Sequence, residues 1–462
     1  MNRIVVIPFD LIEEYINAGR TYKEIEKKFN PNDCFDEVYC LSPGGINEQV
    51  GKVHYINCSP EEFDIMIEKI NPDVIRAYGG WNCCDWAIAN RKSTIPVVVS
   101  VHDTNINFIN QSIKFADYVI CVSEAVKQAV LRIVNIDTKR VYVLPNRVDR
   151  EIFYERNDNS NFNKLNKIYG GHKHIIHVGR KSKQKNLDTL IKAMQFLPKD
   201  YKAIFIGPGS IDEYEKLARK YDVEDQCSFV EHMTRNQLAY FYSWCDCMCT
   251  PSRWEGFGLV FIEAAACGSI IVTSNIAPMN EFLTDGVDAI LVDDFENPRK
   301  IAKAIMDACN NSKRKIMKEN AIKVGKKYDT QIIDEMEEKL YRRIISKGVN
   351  DDLINELNKE IKKNAEKIVI FGIGKRGIEL LRRNVNDVAY IIDNDVKKIG
   401  QQFEGVKVIT YSEFLKKYNR YRVVVTPLDK KTIVEQLRKD KVEYVDMEWY
   451  QLIKNKYLNM TE

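Results

Sequence analysis

Short apolar segments alternate with helical patterns along most of this chain, and that alternation limits the fold more than any other feature. Strands that alternate with helices predict an α/β class with doubly wound parallel sheets. Ligands of such sheets bind at the carboxyl ends of the strands, so the loops after strands are the places to examine. The predicted strands of the first part lie at residues 4–7, 35–41, 53–56, 72–76, 97–101 and 118–122, with helical patterns at 60–70 and 124–133.

Length and charge restrict the class of protein. A chain of 462 residues exceeds one ordinary domain, and about two or three domains are expected. A formal net charge of +3 argues against nucleic-acid binding, which uses a clustered basic face. No apolar run is long enough to span a bilayer, and the first residues read as a strand and a turn rather than a signal peptide. We therefore expect a cytoplasmic protein without a transmembrane segment, for which peripheral membrane contact through a basic face stays open.

The cysteines do not form a metal-binding pattern. None of the twelve belongs to a Cys-x-x-Cys pair. Cys245, Cys247 and Cys249 alternate along one predicted strand, which puts all three on one side of it. That geometry is poor for a single metal ion, so we expect no metal and reduced thiols that pack as small apolar groups.

The segment at residues 251–268 combines a glycine-rich loop with an apolar helix. Gly256 and Gly258 allow the backbone to approach a ligand closely, and they expose the first amides of the helix predicted at 259–267. Such a helix N-terminus is a ready site for a phosphate group. Gly268 stands where a glycine would end the helix.

Two carboxylates flank this helix start. Glu255 lies in the loop, and Glu263 lies in the second turn of the otherwise apolar helix. A charge on so apolar a helix needs a partner or a polar ligand, because an unpaired buried charge is costly. The alternative interpretation is that Glu263 only pairs with a lysine.

Glu255 and Glu263, with seven residues between them, resemble the E-x7-E signature of the retaining glycosyltransferases of family 4. The resemblance implies the GT-B fold, in which two Rossmann-like lobes face each other across a cleft. It also implies that Glu263 holds the ribose hydroxyls of a sugar nucleotide and that Glu255 contacts the transferred sugar as a catalytic residue. The backbone of Phe257, Gly258 and Leu259 would then touch sugar and phosphate.

A basic segment follows the strand predicted at 175–178. Arg180 comes directly after that strand and a glycine, where its planar fork suits a diphosphate, and Lys185 offers a point charge. In the family, the Arg and Lys at these two positions neutralise the leaving diphosphate, which implies the same role here. Lys181 and Lys183 are expected to be solvated only.

The first lobe carries weaker signals. His102 follows the apolar run at 96–101; alone it would be an ordinary loop histidine, but many family members have a catalytic His there that reaches the sugar or acceptor. The loop after the first strand holds Gly19 and Arg20, the candidate acceptor loop, although the family usually has a pair of glycines there. A plain loop is the alternative.

Three further positions carry expectations. Thr21 and Glu24 form a capping-box pattern, which predicts a helix that follows. Arg147 stands where the family pattern Pro-Asn-Gly-Val-Asp has glycine, so the arginine must adopt a positive φ or the conformation has changed. The Asn-rich segment at 157–171 is predicted to be a linker.

The last hundred residues begin a separate fold. Gly372, Gly374 and Gly377 form G-x-G-x-x-G between an apolar strand and a helix, and Asp393 follows the next predicted strand, at 388–392. That context is typical of a nucleotide-binding site, with the carboxylate on a ribose. The domain is small, and it resembles Rossmann-like domains appended to sugar-modifying enzymes of surface polysaccharide pathways. Scaffolding, through oligomer contacts or a tethered partner, is the alternative to ligand binding.

Together these features predict a retaining glycosyltransferase that moves a sugar from a UDP- or GDP-type donor, without a further cofactor, to a glycan, lipid-linked or other acceptor. Cell-surface polysaccharide or glycoconjugate synthesis is the expected setting. The alternatives are a sugar-nucleotide epimerase, a phosphorylase, a non-catalytic sugar-nucleotide scaffold, or an oxidoreductase subunit that uses the last domain. The predicted domains are residues 1–165, 166–348 and 366–462, with a helical connector at 349–365.

Overall fold

The computed structural model describes residues 2–17, 19–310, 312–363 and 366–458. Its internal contacts divide the chain into two compact units. The first contains Met1–Cys121, Val126–Val143 and Glu338–Glu462, and the second contains Val122–Ala125 and Leu144–Glu337. The first unit holds an eight-stranded and a six-stranded sheet, and the second unit holds another sheet of six strands. The expected α/β class is confirmed.

The first sheet is built from short segments that are rich in valine and isoleucine. Its strands are β1 (Arg3–Ile7), β2 (Glu37–Ser42), β3 (Glu48–Val50), β4 (Val53–Asn57), β5 (Val74–Tyr78), β6 (Val97–Val101), β7 (Tyr118–Cys121) and β8 (Val141–Val143). The order across the sheet is β3-β4-β2-β1-β5-β6-β7-β8, and only β3 pairs antiparallel with its neighbour. The helices of this part are α1 (Ile12–Asn17), α2 (Tyr22–Phe29), α3 (Phe63–Ile70), α4 (Asn82–Ala89) and α5 (Glu124–Ile133). The predicted capping box of Thr21 and Glu24 starts α2.

The sheet of the second unit is parallel throughout. Its strands are β9 (Lys173–Val178), β10 (Tyr201–Ile206), β11 (Cys227–Val230), β12 (Cys247–Thr250), β13 (Ile271–Ser274) and β14 (Ala289–Val292), in the order β11-β10-β9-β12-β13-β14. The helices are α6 (Asn159–Tyr169), α7 (Leu187–Met194), α8 (Asp212–Lys220), α9 (Arg235–Trp244), α10 (Leu259–Ala266), α11 (Met279–Phe282), α12 (Pro298–Asn310) and α13 (Arg314–Lys327). One cluster of buried hydrophobic residues packs α7 and α12 against this sheet. The cluster includes Cys247 and Cys249.

The prediction of a linker at 157–171 is wrong, because α6 occupies most of it. Asp158 caps this helix by accepting a hydrogen bond from the amide of Asn161 at 3.0 Å. At the other end Tyr169 packs against Trp244, with ring centroids 5.9 Å apart. Tyr169 also meets Phe241 edge-on at 5.7 Å, so a cap and two aromatic contacts overcome the low helix propensity of the asparagines.

At Arg147 the backbone differs from the positive-φ conformation that would favour glycine. Its φ is not positive, and its guanidinium forms ion pairs with Asp334 and Glu337. Both carboxylates belong to the long helix α14 (Thr330–Lys347), whose first part lies in the second unit. The arginine therefore fastens the chain to α14 and does not replace glycine in a turn.

The C-terminal part forms the third sheet. It begins with α15 (Asp351–Lys363), and its strands have the order β17-β18-β16-β15-β19-β20, with β17 antiparallel to β18. The strands are β15 (Ile368–Phe371), β16 (Val388–Ile392), β17 (Gln402–Phe403), β18 (Val406–Ile409), β19 (Arg422–Val425) and β20 (Tyr444–Asp446). The remaining helices are α16 (Lys375–Arg383), α17 (Tyr411–Glu413), α18 (Lys431–Lys439) and α19 (Met447–Ile453).

A buried polar cluster joins this third sheet to the segment after β6. The ammonium of Lys430 lies 2.5 Å from a carboxylate oxygen of Asp446 and donates to the side-chain oxygen of Asn110 at 2.8 Å. The other oxygen of Asp446 accepts the amide of Gln111 at 2.9 Å. Lys430 and Asp446 are both almost fully buried. The ion pair itself lies within the C-terminal part, and its hydrogen bonds to Asn110 and Gln111 hold the segment after β6 against that part.

Lys430→Met should therefore destabilise the first unit, because it leaves the Asp446 carboxylate buried without its cation. We expect a loss of about 3 kcal/mol in the free energy of unfolding, measured by urea titration. Lys363→Met is the matched control, since Lys363 pairs with Glu443 at an exposed position, where an ion pair contributes little. Equal urea midpoints for the two variants would contradict the role of the cluster.

His177, the penultimate residue of β9, is a buried histidine that hydrogen-bonds to the backbone of the loop after this strand. Its Nε2 lies 3.0 Å from the carbonyl oxygen of Lys185, and because a carbonyl can only accept, Nε2 carries the proton. Burial lowers the pKa of His177 to about 4, and the nearby charge of Lys185 acts in the same direction. The imidazole is thus neutral in the folded protein at physiological pH.

This lowered pKa predicts acid sensitivity. The unfolded histidine titrates near 6.5, so its stabilising contribution is complete above that pH and is lost as pH falls toward 4. Between pH 7 and pH 5, His177→Gln should lose less stability than the wild type in urea titrations. The exposed His172→Gln should follow the wild type. An unchanged pH dependence in His177→Gln would exclude this assignment.

Candidate functional site

The loop after β12 leads directly into α10, as the sequence predicted. Gly258 is the N-cap of α10 and has a φ of +88°, and a Cβ at this position would lie 2.5 Å from the ring of Phe261. Glycine is therefore required there. Gly258, Leu259 and Val260 are half-buried, so the first turn of the helix is partly open to solvent. Its amides have no earlier helical carbonyl to bind and can meet an anion.

Glu255 and Lys185, predicted to contact sugar and diphosphate, contact each other. The ammonium of Lys185 lies 2.5 Å from Oε1 of Glu255, which also accepts the hydroxyl of Ser252 at 2.7 Å. Glu255 is 5% exposed. The side-chain amide of Gln184 adds a third donor, 3.4 Å from Oε2 of Glu255. The carboxylate is thus fixed by three donors, and the cation is held beside the helix start. No local pattern indicates that these two side chains pair.

Hydrogen bonds join the loops that carry this ion pair. The amide of Arg253 donates to the carbonyl of Gln184 at 2.8 Å, and the side chain of Gln184 donates back to the carbonyl of Trp254 at 3.0 Å. The side-chain amide of Asn186 donates to the carbonyl of Pro251 at 2.9 Å. The two loops therefore behave as one support for Lys185 and Glu255.

A cavity of about 500 Å³ opens beside this support at the carboxyl edge of the sheet. Among the described residues that line it, three are basic and none is acidic, which favours an anionic ligand. Its lining consists of Arg180, Lys181, Ser182, Lys183, Gln184, Pro208, Gly209 and Trp254. Arg180 is exposed, and its guanidinium has no hydrogen bond or ion pair within the described part of the chain. It is available to a ligand.

Lys181 departs from its prediction. It is 9% exposed, and its ammonium donates to the carbonyl of Gly207 and, at 3.2 Å, to that of Val230. Burial lowers the pKa of Lys181. This lysine ties together the chain ends that follow β10 and β11, and thereby shapes one wall of the cavity. Lys183 is exposed, as expected.

The wall also depends on a close backbone approach. A Cβ at Gly207 would lie 2.2 Å from the carbonyl oxygen of Gly179, and Gly207 has a φ of +139°. Any side chain there would push the loops after β9 and β10 apart. The contact between Gly207 and Gly179 comes from tertiary structure.

Glu263 and Phe257 occupy different environments. Glu263 is half-buried on α10, with the hydroxyl of Tyr242 at 3.5 Å from its carboxylate. Phe257 is buried, stacking on Phe282 with centroids 5.2 Å apart and meeting Tyr328 edge-on at 5.6 Å. The side chain of Phe257 therefore anchors the loop, and only its backbone can serve a ligand.

In the first unit, His102 follows β6 and is exposed. Its Nε2 lies 2.9 Å from the hydroxyl of Ser100, and that hydroxyl donates to the carbonyl of Ala77 at 3.2 Å. Because the proton of Ser100 is already used, Nε2–H of His102 must donate to it. Nδ1 is then left as a hydrogen-bond acceptor for a hydroxyl group.

Cations near His102 keep it neutral. Desolvation by the surrounding protein lowers the pKa of His102, and the charges of Lys28 and Arg76 lower it further. Exposure of the ring weakens desolvation, but the charges of the two cations still lower the pKa of His102. The ring also stacks on Tyr78, with centroids 6.1 Å apart.

Gly19 and Arg20 lie between α1 and α2. The amide of Gly19 donates to the carbonyl of Ile16 at 2.8 Å, and that of Arg20 to the carbonyl of Tyr15 at 3.0 Å. Gly19 has a φ of +82°, so it ends α1 in the manner of a helix-terminating glycine. An acceptor contact remains a prediction for both residues.

The glycine loop of the third sheet has a close internal contact. A Cβ at Gly377 would lie 2.0 Å from the carbonyl oxygen of Gly372, whereas Gly374 faces open space. Asp393 accepts the amide of Ile373 at 2.9 Å and pairs with Lys398 at 3.1 Å. Burial would raise the pKa of Asp393, but these hydrogen bonds and the lysine outweigh it and lower the pKa.

The described part of the chain offers neither a metal centre nor a membrane-spanning helix. Within the described residues no group of His, Cys, Asp and Glu side chains is arranged to hold a metal ion. No helix of that same part of the chain combines the length and apolar character needed to cross a bilayer. All twelve cysteines are free thiols, and ten of them are buried.

Comparisons with known proteins point to one family. The profile of Glycosyltransferase Family 4 matches residues 56–152, and that of Glycosyl transferases group 1 matches residues 158–324. An uncharacterised glycosyltransferase of Methanocaldococcus jannaschii is 27% identical over 278 residues, which are 57% of this chain and 73% of that protein. The O-antigen chain mannosyltransferase RfbU of Salmonella typhimurium is 25% identical over 200 residues, 43% of this chain and 53% of RfbU.

Solved structures share the fold. Sucrose-phosphate synthase from Thermosynechococcus elongatus has a TM-score of 0.65 at 17% identity, covering 75% of this chain and 100% of that chain. Anabaena HepE in complex with UDP and glucose has a TM-score of 0.61 at 17% identity, covering 74% and 100%. Both are GT-B proteins, so the predicted fold class is confirmed, and the epimerase and phosphorylase alternatives are not favoured. The chain belongs to the family 4 glycosyltransferases, retaining enzymes of the GT-B fold that use nucleotide-sugar donors.

Proposed function

We propose that this glycosyltransferase moves a sugar from a uridine- or guanosine-diphosphate donor to a hydroxyl of a glycan or lipid-linked acceptor in cell-surface polysaccharide or glycoconjugate synthesis. The observation that carries the donor assignment is the basic cavity at the carboxyl edge of the second unit's sheet, with the unpartnered Arg180 in its lining. The match with RfbU, whose name describes O-antigen chain synthesis, supports the setting.

The donor would lie along the first turn of α10. Its diphosphate would accept hydrogen bonds from the amides of Leu259 and Val260 and pair with Arg180 and Lys185. Glu263, half-buried one turn further along α10, would hold the ribose hydroxyls. The base would occupy the part of the cavity lined by Pro208 and Gly209, whose position depends on Lys181.

Catalysis would come mainly from electrostatic stabilisation of the leaving group. As the bond between the anomeric carbon and the phosphate oxygen breaks, negative charge grows on the diphosphate and positive charge on the sugar ring. Preorganised cations and helix amides at the diphosphate are worth several kcal/mol, roughly, in such a step. The acceptor oxygen forms the new bond on the face that the diphosphate leaves, and the acceptor hydroxyl gives up its proton to the departing diphosphate oxygen.

The Lys185–Glu255 pair suggests how the site responds to the donor. A diphosphate carries more negative charge than one carboxylate, so it would attract Lys185 away from Glu255. Ser252 would keep Glu255 in position, and the released carboxylate oxygen could then accept a hydroxyl of the transferred sugar. The ion pair therefore holds both side chains close to the positions that they would take in the reaction.

His102 would serve the reaction from the first unit as a neutral acceptor. Its Nδ1 could accept a hydrogen bond from a sugar or acceptor hydroxyl, because Nε2–H is bound to Ser100. Gly19 and Arg20 stay candidates for the acceptor loop. We place the reaction in the cytoplasm because twelve free cysteines suit a reducing compartment.

For the C-terminal domain, a nucleotide site at Gly372, Gly374, Gly377 and Asp393 and a scaffolding role are both proposals. The engagement of Asp393 by Lys398 and by the loop amide favours scaffolding, as does the buried cluster around Lys430. Oligomer contacts through this domain would be one form of scaffolding.

Lys185→Ala and Glu263→Ala should each lower kcat/KM for transfer, Lys185→Ala by roughly a hundred- to thousand-fold because a leaving-group cation is lost. The readout is nucleoside diphosphate release together with sugar on the acceptor. Lys199→Ala, a lysine of the same unit at an exposed ion pair, is the matched control and should keep normal turnover. Near-normal turnover in Lys185→Ala or Glu263→Ala would reject the corresponding role.

Nucleotide choice can be tested without an acceptor. A thermal-shift panel of sugar nucleotides should raise the melting temperature with either a uridine or a guanosine donor, since ligand binding stabilises the folded state. Arg180→Ala should reduce that shift. NADH should bring no shift, and a shift with NADH alone would favour the oxidoreductase alternative.

A further inference from the structure

Three aromatic side chains cluster at one edge of the first sheet, and we call Phe9, Trp81 and Phe108 the aromatic platform. The rings of Phe9 and Trp81 have centroids 6.5 Å apart, and those of Trp81 and Phe108 are 5.5 Å apart. Phe9 follows β1, Trp81 follows β5 and Phe108 follows β6. The three residues thus come from the carboxyl ends of three adjacent parallel strands.

The position of the platform is the one where such sheets bind ligands. In the sheet, β1 has β2 on one side and β5 on the other. The strand order therefore reverses between β1 and β5. The crevice outside the carboxyl ends at such a switch point is the general binding place of open α/β sheets. Phe9 and Trp81 stand on its two sides.

The aromatic platform leaves apolar ring surface open to solvent. Phe9 is 54% exposed, and Trp81 and Phe108 are half-buried. A single exposed Phe is ordinary, but adjoining aromatic groups in a binding crevice indicate a ligand with an apolar face. Polar residues lie in the same loops: Asp10 follows Phe9 directly, and His102 and Asp103 begin the segment after β6 that leads to Phe108.

Phe108 is held in place from the third sheet. The side-chain oxygen of its neighbour Asn107 accepts the amide of Lys430 at 3.0 Å. The same segment is fixed at Asn110 by the ammonium of Lys430. The platform is therefore preorganised rather than assembled on binding, which lowers the cost of holding a weakly polar ligand.

We propose that the aromatic platform is an acceptor subsite that stacks against the apolar face of a pyranose ring, so that the acceptor is a glycan. This inference rests on the proposed function, which supplies the need for an acceptor, and adds its chemical class. A sugar ring offers C–H groups to the aromatic faces and hydroxyls to Asp10, Asp103 and His102. A lipid chain would instead exclude water from the charged side chains of Asp10 and Asp103, which is costly.

The test is saturation-transfer NMR on the full chain, with methyl glycosides of glucose, galactose, mannose and N-acetylglucosamine as probes. The experiment needs neither donor nor turnover, so its failure is separate from a failure of the donor assignment. Phe9→Ala and Trp81→Ala should weaken binding of the preferred glycoside about tenfold, the effect of losing a stacking partner. Trp81→Phe should restore most of it, because the ring is kept.

Tyr154→Ala is the matched control, since Tyr154 is an aromatic residue of the second unit with a 42% exposed surface. It should leave the glycoside signal unchanged, as should saturating UDP or GDP. Three results would overturn the proposal: no transfer of saturation to any glycoside, unaltered binding in Phe9→Ala, or displacement of the glycoside by UDP or GDP. Binding of the wild type, but not Phe9→Ala, to vesicles of neutral phospholipid would also overturn it in favour of a membrane contact.

Discussion

The site depends first on the contact between Lys185 and Glu255. A buried ion pair seldom adds much net stability, because both ions lose their hydration on burial. Here the pair is held by neighbouring loops whose backbones are already joined through Gln184 and Arg253. The energy of those hydrogen bonds keeps a cation and a carboxylate at a helix start. The arrangement suits a ligand that brings its own negative charge and its own hydroxyl groups.

The carboxyl edge of each parallel sheet serves a different purpose. In the second unit the edge carries the basic cavity and the open first turn of α10. In the first sheet it carries His102 and the aromatic platform. At the third sheet Lys430 and Asp446 instead bind the segment at Asn110 and Gln111. One fold rule, that loops after parallel strands are free to vary, thus accounts for a candidate donor site, a candidate acceptor site and an internal joint.

The sequence specified the local elements well. The helix at Glu124–Ile133 and the strand at Val388–Ile392 have the predicted bounds, and α10 begins at the predicted residue. These segments carry strong periodicity, a glycine or a cap, which act over a few residues. The helix at Asn159–Tyr169 was missed because its composition resembles a linker, although Asp158 offered a capping signal.

Features that depend on tertiary contacts were beyond the sequence. Lys181 lies in a charge run typical of solvated loops, yet two carbonyls at neighbouring strand ends bury it. Nothing local indicates that Lys185 meets Glu255, because the two are seventy residues apart in the chain. Arg147 could be recognised as a departure from the family pattern, but its partners on α14 could not. The aromatic platform gathers from three loops, so it became visible only once the strand order was known.

A crystal structure with bound uridine or guanosine diphosphate would show directly whether the donor binds in the basic cavity beside α10. We expect the diphosphate at the amides of Leu259 and Val260. The guanidinium of Arg180 and the ammonium of Lys185 should contact its oxygens, and Glu263 should contact the ribose. A nucleotide bound elsewhere, such as at the Gly372 loop, with this cavity empty, would contradict this expectation.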